Sequence, residues 1–119
     1  MYICLMYSNE LVRGTLKTII LKLLSENGKM YGYEITQKVK EDSKEKIIIT
    51  EGALYPLLHQ LEAEGVLKVE TQNIGKRIRK YYKLTDQGEK KAKEKVNEFA
   101  AFMRTMQILL DIKPNTQYA

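Results

Sequence analysis

The chain has 119 residues, a formal net charge of +5 and a hydrophobic content of 44%. These values are typical of one folded domain with a core of its own, and they argue against a disordered chain. No apolar run reaches the length of a membrane span, so we expect no membrane partner. The apolar start, MYICLMY, is short and lacks a basic leader, so we do not expect it to be a signal peptide.

One cysteine and one histidine limit the chemistry of the chain. Cys4 has no partner for an internal disulfide, which fits the reducing cytoplasm. A zinc site made only of Cys and His side chains from one chain is excluded, because such sites take about four ligands. We find no nucleophile–base pair and no phosphate-binding glycine loop, so we expect neither catalysis nor a cofactor or metal.

The N-terminal third predicts a helix over residues 10–26, which ends at Asn27 and Gly28. Ser8 or Asn9 is a suitable N-cap. Residues 1–9 are too apolar to be free in water, and they either extend this helix or dock against a partner subunit. Six apolar residues recur at helical spacing and form one stripe: Val12, Leu16, Ile19, Ile20, Leu23 and Leu24.

A second, shorter helix is predicted over residues 31–42, with Ile35 and Val39 inward and Tyr33 outward. If this helix crosses a DNA backbone, Tyr33 can bond a phosphate; equally, its ring can pack at the rim of the core. A polar link follows, and the β-branched run at 47–49 predicts a brief strand beside a hairpin.

The third predicted helix begins at Thr50, whose hydroxyl can cap it, and stops at Gly65. We expect its first turn to be loosened at Pro56, which cannot donate a backbone hydrogen bond. Its apolar face consists of Leu54, Leu57, Leu58 and Leu61. Its opposite face carries Gly52, Tyr55, Pro56, His59, Gln60 and Ala63. Such an uncharged helix face fits a DNA major groove, but taken alone it is equally an ordinary solvated face.

The segment after this helix predicts a hairpin, with strands at 66–71 and 78–84 and a turn within 72–77. Between residues 68 and 83 there are six basic residues and one acid, Glu70, a local charge of +5 that equals the net charge of the chain. The basic residues are Lys68, Lys76, Arg77, Arg79, Lys80 and Lys83. Positive charge concentrated beside a candidate recognition helix indicates contact with a phosphate backbone.

The last predicted helix starts at Thr85, a good N-cap, and runs to about residue 112. Its apolar positions follow alternating steps of four and three, a heptad-type seam. A helix of about 40 Å overreaches a domain of this size, so we expect the surplus to pair with a second copy, with the first helix alongside. The alternative is that this helix packs on its own domain.

Together these elements predict a mainly α fold with a small β-hairpin: a winged helix-turn-helix at 10–84 and a C-terminal dimerisation helix at 85–112. Its expected partners are double-stranded DNA and a second copy of the chain. The predicted DNA-contact residues are Tyr33, Thr50, Gly52, Tyr55, His59, Gln60, Lys76, Arg77, Arg79 and Lys80. The predicted dimer interface consists of Leu16, Ile20, Ala92, Val96, Phe99, Met103, Met106 and Leu110.

Three segments, MYGYEI (30–35), EGALYPLLHQLEAEGVL (51–67) and KRIRKYYKLTDQG (76–88), resemble the PadR family of bacterial winged-helix regulators in order and spacing. The single long C-terminal helix resembles the short subgroup of that family. The resemblance implies a dimeric repressor of transcription. It also implies a candidate pocket for a small apolar effector at the dimer centre, near Val96, Phe99 and Met103. Some short members hold such compounds between tryptophans, and this chain has no Trp. The alternative is that Phe99 simply fills the core of the dimer.

The main alternative is a winged helix that serves only as a protein–protein interaction module without DNA binding. Such a module has no need of a hairpin that carries the whole net charge. A DNA-binding test at graded salt separates the two hypotheses.

Overall fold

The computed structural model describes residues 7–113, which form five helices around a three-stranded antiparallel sheet. The mainly α fold with a small β-hairpin is confirmed. The helices are α1 (Asn9–Arg13), α2 (Leu16–Asn27), α3 (Gly32–Asp42), α4 (Glu51–Ala63) and α5 (Asp86–Leu109). The strands are β1 (Met30–Tyr31), β2 (Leu67–Ile74) and β3 (Arg77–Leu84). Residues 1–6 of the apolar start, whose placement the sequence leaves open, lie outside the described residues.

The first predicted helix is interrupted, because α1 ends at Arg13 and α2 begins at Leu16. Thr15 explains the break, because its N–H and its hydroxyl each donate a hydrogen bond to the carbonyl of Val12, with both distances at 2.9 Å. Ser8 caps α1 as expected, since its Oγ accepts from the N–H of Leu11 at 3.2 Å.

The predicted strand at 47–49 is wrong, and the third strand of the sheet is β1 instead. β1 pairs with β3 through Met30 opposite Tyr82 and Tyr31 opposite Tyr81. At Ile47 the side chain of Ser43 replaces a strand partner, because its Oγ accepts from Ile47 N–H at 3.0 Å and donates to Ile47 O at 3.2 Å.

α3 and α4 form the helix-turn-helix pair, and α4 starts where the sequence predicts. Thr50 Oγ1 accepts from the N–H of Ala53 at 3.2 Å. Pro56 lies inside α4, and the helix continues through it to Ala63. The hairpin of β2 and β3 is longer than predicted and closes in a two-residue turn of Gly75 and Lys76.

One apolar core holds these elements together, and α2, α3, α4 and the base of the hairpin contribute most of it. Leu57 is only partly buried at its edge. Ala92, in the first half of α5, also belongs to the core. The largest side chains that are fully buried are Tyr82, Ile20, Leu21, Leu24, Ile35, Leu54, Leu58 and Leu61.

The hairpin and α5 leave the core at a shared junction, which consists of Gly65, Val66, Thr85 and Gly88. Thr85 Oγ1 donates to the carbonyl of Gly65 at 2.6 Å, and Thr85 N–H donates to Val66 O at 3.0 Å. The same Oγ1 accepts from Gly88 N–H at 3.0 Å and so caps α5. Gly88 lies against the Val66 backbone so closely that a Cβ there would overlap the carbonyl oxygen.

Candidate nucleic-acid interface

The outward face of α4 is exposed and carries no charge over its central turns. Gly52, Pro56, His59, Gln60 and Ala63 are all exposed, as the helical spacing predicts. These groups are small or hydrogen-bonding, which allows close approach to base edges. The face begins at Thr50, whose side chain is engaged as the N-cap.

Gln60 is held at the end of this face by an acid one turn later. Its Nε2 donates to Glu64 Oε2 at 3.1 Å, and Glu64 also lies 3.5 Å from Lys17 Nζ. The hydrogen bond from Gln60 is the largest cause of a lowered pKa for Glu64, with Lys17 second. The amide of Gln60 is therefore restrained but still in solvent.

Tyr55 differs from its neighbours on this face, because its side chain is half-buried and packs against the core. Its ring lies on the first residue of α3: a Cβ on Gly32 would lie 2.7 Å from Tyr55 Cζ. Burial, and then the nearby charge of Glu51, raise the pKa of the Tyr55 hydroxyl. Tyr55 therefore supports the packing of α4 on α3.

Tyr33 lies in the first turn of α3, and 56% of its surface is exposed. This exposure favours the outward position of Tyr33 over packing of its ring at the rim of the core. A cleft of about 560 Å³ opens beside it, which Tyr31, Glu34 and Gln37 also line.

The wing, residues 67–84, changes character along its length. At its base, Glu70 lies 3.3 Å from Lys29 and 3.9 Å from Lys83, so opposite charges are paired there. At its tip, Lys76, Arg77 and Lys80 are exposed, and none of them has an ion-pair partner among residues 7–113. Three of the six basic residues of the hairpin are thus displayed without ion-pair partners at its tip. At the base, Lys68 is also exposed and has no ion-pair partner among residues 7–113.

Strand register decides which way these cations point. Lys80 is two residues from the buried Tyr82, so it continues the sheet face that packs on the helices. Arg77 lies on the other face, and Lys76 lies in the turn between them. The tip therefore presents positive charge on both of its faces.

Arg79 stands apart from the other wing cations, because its guanidinium contacts two tyrosines. Its Cζ lies 4.0 Å from the centroid of the Tyr31 ring, and its Nη1 donates to Tyr81 Oη at 3.4 Å. The hydrogen bond to Tyr81 is the largest cause of a raised Arg79 pKa. Neither tyrosine is in the predicted site, since contacts between distant segments are invisible in the sequence.

The predicted dimer interface divides into buried and available residues. Leu16, Ile20 and Ala92 are 4%, 0% and 3% exposed and lie within the chain's own core, so assigning them to an interface between copies is wrong. The reason is that the start of α5 packs along α2 of the same chain, so the first part of the apolar seam is already buried within the protomer.

The rest of the seam is open to solvent in varying degree. Val96, Phe99 and Met106 are half-buried, whereas Met103 and Leu110 are 46% and 62% exposed. Other large apolar side chains near the end of α5 are exposed as well, namely Phe102, Ile108, Leu109 and Ile112. Val96, Phe99 and Met103 are the candidate effector pocket. The centroid of the Phe99 ring lies 6.3 Å from that of the neighbouring Phe102.

In the described part of the chain no helix is long and apolar enough to cross a membrane. Within that part there is also no group of three or more His, Cys, Asp or Glu side chains that could hold a metal ion.

Solved proteins with the same arrangement include regulators of transcription. A solved transcriptional regulator from Clostridium thermocellum is similar, with a TM-score of 0.77 and 34% identity over 85% of this chain and 95% of that one. An uncharacterized protein of Lysinibacillus sphaericus is 31% identical over 109 residues, or 89% of this chain and 97% of the relative. Bacillus subtilis PadR, solved with operator DNA, has a TM-score of 0.61 and 34% identity over 66% of this chain and 45% of that one.

A family model agrees with these similarities. The model of the transcriptional regulator PadR-like family matches residues 20–94, which include the helix-turn-helix pair, the whole wing and the start of α5. This match, together with the relatives at more than 30% identity, confirms the resemblance inferred from the sequence motifs. The chain belongs to the PadR-like family of transcriptional regulators.

Proposed function

We propose that the chain is a homodimeric repressor that binds a near-palindromic operator in double-stranded DNA. The observation that carries this proposal is that the chain combines an unpaired positive charge at the wing tip with an exposed, uncharged outer face on α4. The complex of Bacillus subtilis PadR with operator DNA supports it, since this chain is similar to that protein over 66% of its own length.

In this proposal α4 enters the major groove, and His59 and Gln60 contact base edges from its exposed face. Gly52 allows the start of the helix to approach the DNA closely, because it has no side chain. Lys76, Arg77 and Lys80 contact phosphates, and Tyr33 on α3 bonds the backbone next to them. Tyr55 acts indirectly, by holding α4 on α3 through its contact with Gly32.

A second copy is proposed because the last turns of α5 display apolar surface that the protomer leaves uncovered. On the seam, Met103 and Leu110 are 46% and 62% exposed, and Phe102 and Leu109 next to it are 53% and 68% exposed, so they form a patch of the kind that marks an interaction site. Pairing along α5 would bury this patch and set two α4 helices at a fixed separation. Half-sites about one helical turn apart, or a multiple of it, follow from such a dimer.

Dimerisation would also enclose Val96, Phe99 and Met103, the side chains that we propose for a small apolar effector. Repression follows from occupancy, because a dimer bound beside a promoter excludes the polymerase. The proposal involves no catalytic chemistry, and it places the protein in the cytoplasm with the genome.

The test is binding to the DNA fragment upstream of the chain's own gene, measured at several salt concentrations. We expect affinity to fall steeply as salt rises, because counterions are released from each phosphate that the wing neutralises. Absence of binding at low salt would overturn the proposal and favour the protein-interaction module. An inverted repeat protected in footprinting would identify the operator.

A further inference from the structure

The outer face of the sheet carries a cluster of aromatic and charged side chains that connects the wing to the helix-turn-helix. The cluster consists of Lys29, Tyr31, Glu70, Arg79 and Tyr81, and is called the brace below. Tyr31 and Tyr81 are register partners on neighbouring strands, and their rings meet edge-on with centroids 5.5 Å apart. Lys29 Nζ lies 5.4 Å from the Tyr81 ring and 3.3 Å from Glu70.

One end of the brace is fixed to α3. Tyr31 is the N-cap residue of that helix, and its N–H donates to Glu34 Oε1 at 3.1 Å. Its neighbour Gly32 is the residue on which the Tyr55 ring of α4 packs. Tyr31 therefore stands at a rigid point, where the sheet and both helices of the helix-turn-helix meet.

The other end of the brace is in the free part of the wing. β1 pairs with β3 only at Tyr81 and Tyr82, so from Lys80 to the turn the wing is a two-stranded ribbon. A ribbon of two strands is marginally stable on its own and twists readily. Arg79 belongs to this ribbon, yet its guanidinium reaches back to within 4.0 Å of the Tyr31 ring centroid.

We infer that Arg79 and Tyr31 are a positioning pair that sets the angle between the wing and the helix-turn-helix. A planar guanidinium can stack on one ring and hydrogen-bond a second, as Arg79 does, whereas an ammonium cannot reproduce that geometry. Arg79 thus differs in role from Lys76, Arg77 and Lys80, which lack such contacts among the described residues. Its consequence for DNA binding rests on the proposed function.

The experiment compares two conservative changes in the same wing, Arg79→Lys and Arg77→Lys. Both keep the positive charge, and Lys serves well as a phosphate contact. We expect Arg79→Lys to weaken binding to the upstream DNA fragment roughly three- to tenfold, and Arg77→Lys to bind nearly as wild type. Equal binding by the two variants would overturn the inference, since it would make Arg79 an ordinary phosphate contact.

Tyr31 supplies the partner test. Tyr31→Leu should cause the same loss as Arg79→Lys, and the double variant should be no weaker than either, because both changes remove one contact. Tyr31→Phe keeps the ring and should bind the DNA fragment as tightly as the wild type. Losses that add in the double variant would contradict the pairing.

A measurement without DNA separates this inference from the proposed function. Amide hydrogen exchange of residues 72–79 in the free protein should speed up in Arg79→Lys and Tyr31→Leu but not in Arg77→Lys, with the thermal midpoints unchanged. Unchanged exchange in all variants would overturn the brace even if the protein binds DNA. Faster exchange in a protein that binds no DNA would leave the brace standing and remove the proposed function.

Discussion

The wing tip and the last turns of α5 both project from the core, but their surfaces have opposite chemistry. Lys76, Arg77 and Lys80 give the wing tip an exposed positive surface. The end of α5 instead exposes apolar side chains, with Ile108 at 80% and Leu109 at 68%. A polyanion fits the first surface and another apolar surface fits the second, so one short chain presents two surfaces of different chemistry.

The two projections have a common root, and this explains how a small domain can orient both. The junction of Gly65, Val66, Thr85 and Gly88 joins the start of β2 to the start of α5 through the hydrogen bonds of Thr85. A change at the root should disturb both surfaces, whereas a change in one projection should leave the other intact. The predictions below use this difference.

The largest effect is expected from Gly88→Ala at the root. The new Cβ would overlap the Val66 carbonyl oxygen and lie 3.1 Å from the Val66 carbonyl carbon. Backbone atoms cannot move aside as a flexible side chain can, so we expect a loss of about 3 kcal/mol in the free energy of unfolding. Urea unfolding at one fixed protein concentration measures this loss.

Gly14→Ala is the matched control, because a Cβ at Gly14 would have no neighbour closer than 3.8 Å. Its φ of −65° is open to any residue, so Ala should cost nothing. If Gly88→Ala is as stable as Gly14→Ala, the close packing at the junction is not what fixes the two projections.

The second prediction concerns the apolar projection. Phe99→Glu combined with Met103→Glu should give monomers, because four charges would face each other across two paired copies of α5. Loss of the second half-site should weaken operator binding by about a hundredfold or more. Sedimentation and DNA titration together measure both effects.

Asn97→Glu combined with Ala101→Glu is the matched control for this pair. Both residues are exposed and lie on α5 away from the seam, so the same number of acids is added to the same helix. This variant should remain a dimer. A dimeric Phe99 and Met103 double variant would show that the copies pair through another surface.

The third prediction concerns sequence choice by α4. Gln60→Ala removes an exposed amide and should reduce discrimination against one altered base pair by about 1–3 kcal/mol, with little change in stability. Competition between duplexes with single substitutions measures the preference. Gln37→Ala makes the same truncation on α3, the helix that we propose crosses the DNA backbone, and it should leave base preference unchanged. Unaltered discrimination in Gln60→Ala would exclude this residue from base reading.

Much of the fold follows from local sequence signals. The caps Ser8, Thr50 and Thr85 each accept the expected backbone hydrogen bond, because a hydroxyl at a helix start needs no distant partner. The hairpin follows from its β-branched and aromatic residues and from Gly75, whose φ of 61° suits a tight turn.

The errors lie where a distant contact decides the outcome. The Ile run at 47–49 has strand propensity, but Ile49 is buried in the core. The side chain of Ser43 also hydrogen-bonds both the N–H and the carbonyl of Ile47, so neither is free to pair with a strand. Leu16 fits an interface stripe equally well, and only the packing of α5 on α2 assigns it to the core. Arg79 reads as one more wing cation, because its contact with Tyr31 spans 48 positions of the chain.

The smallest effect should come from single cations of the wing tip. Arg77→Ala or Lys80→Ala removes one phosphate contact, so the slope of log affinity against log salt should decrease by about 0.9 for each. Such a contact is independent of base identity, so binding to all sequences should weaken alike.

Lys83→Ala is the control, because this lysine lies at the base of the wing, 3.9 Å from Glu70, and should leave the slope unchanged. Dimerisation of all three variants should be as in wild type, since the change is confined to one projection. A slope that decreases equally in Lys83→Ala would mean that the whole hairpin acts as a diffuse positive field. In that case the contrast between a paired base and a free tip would have no role in DNA binding.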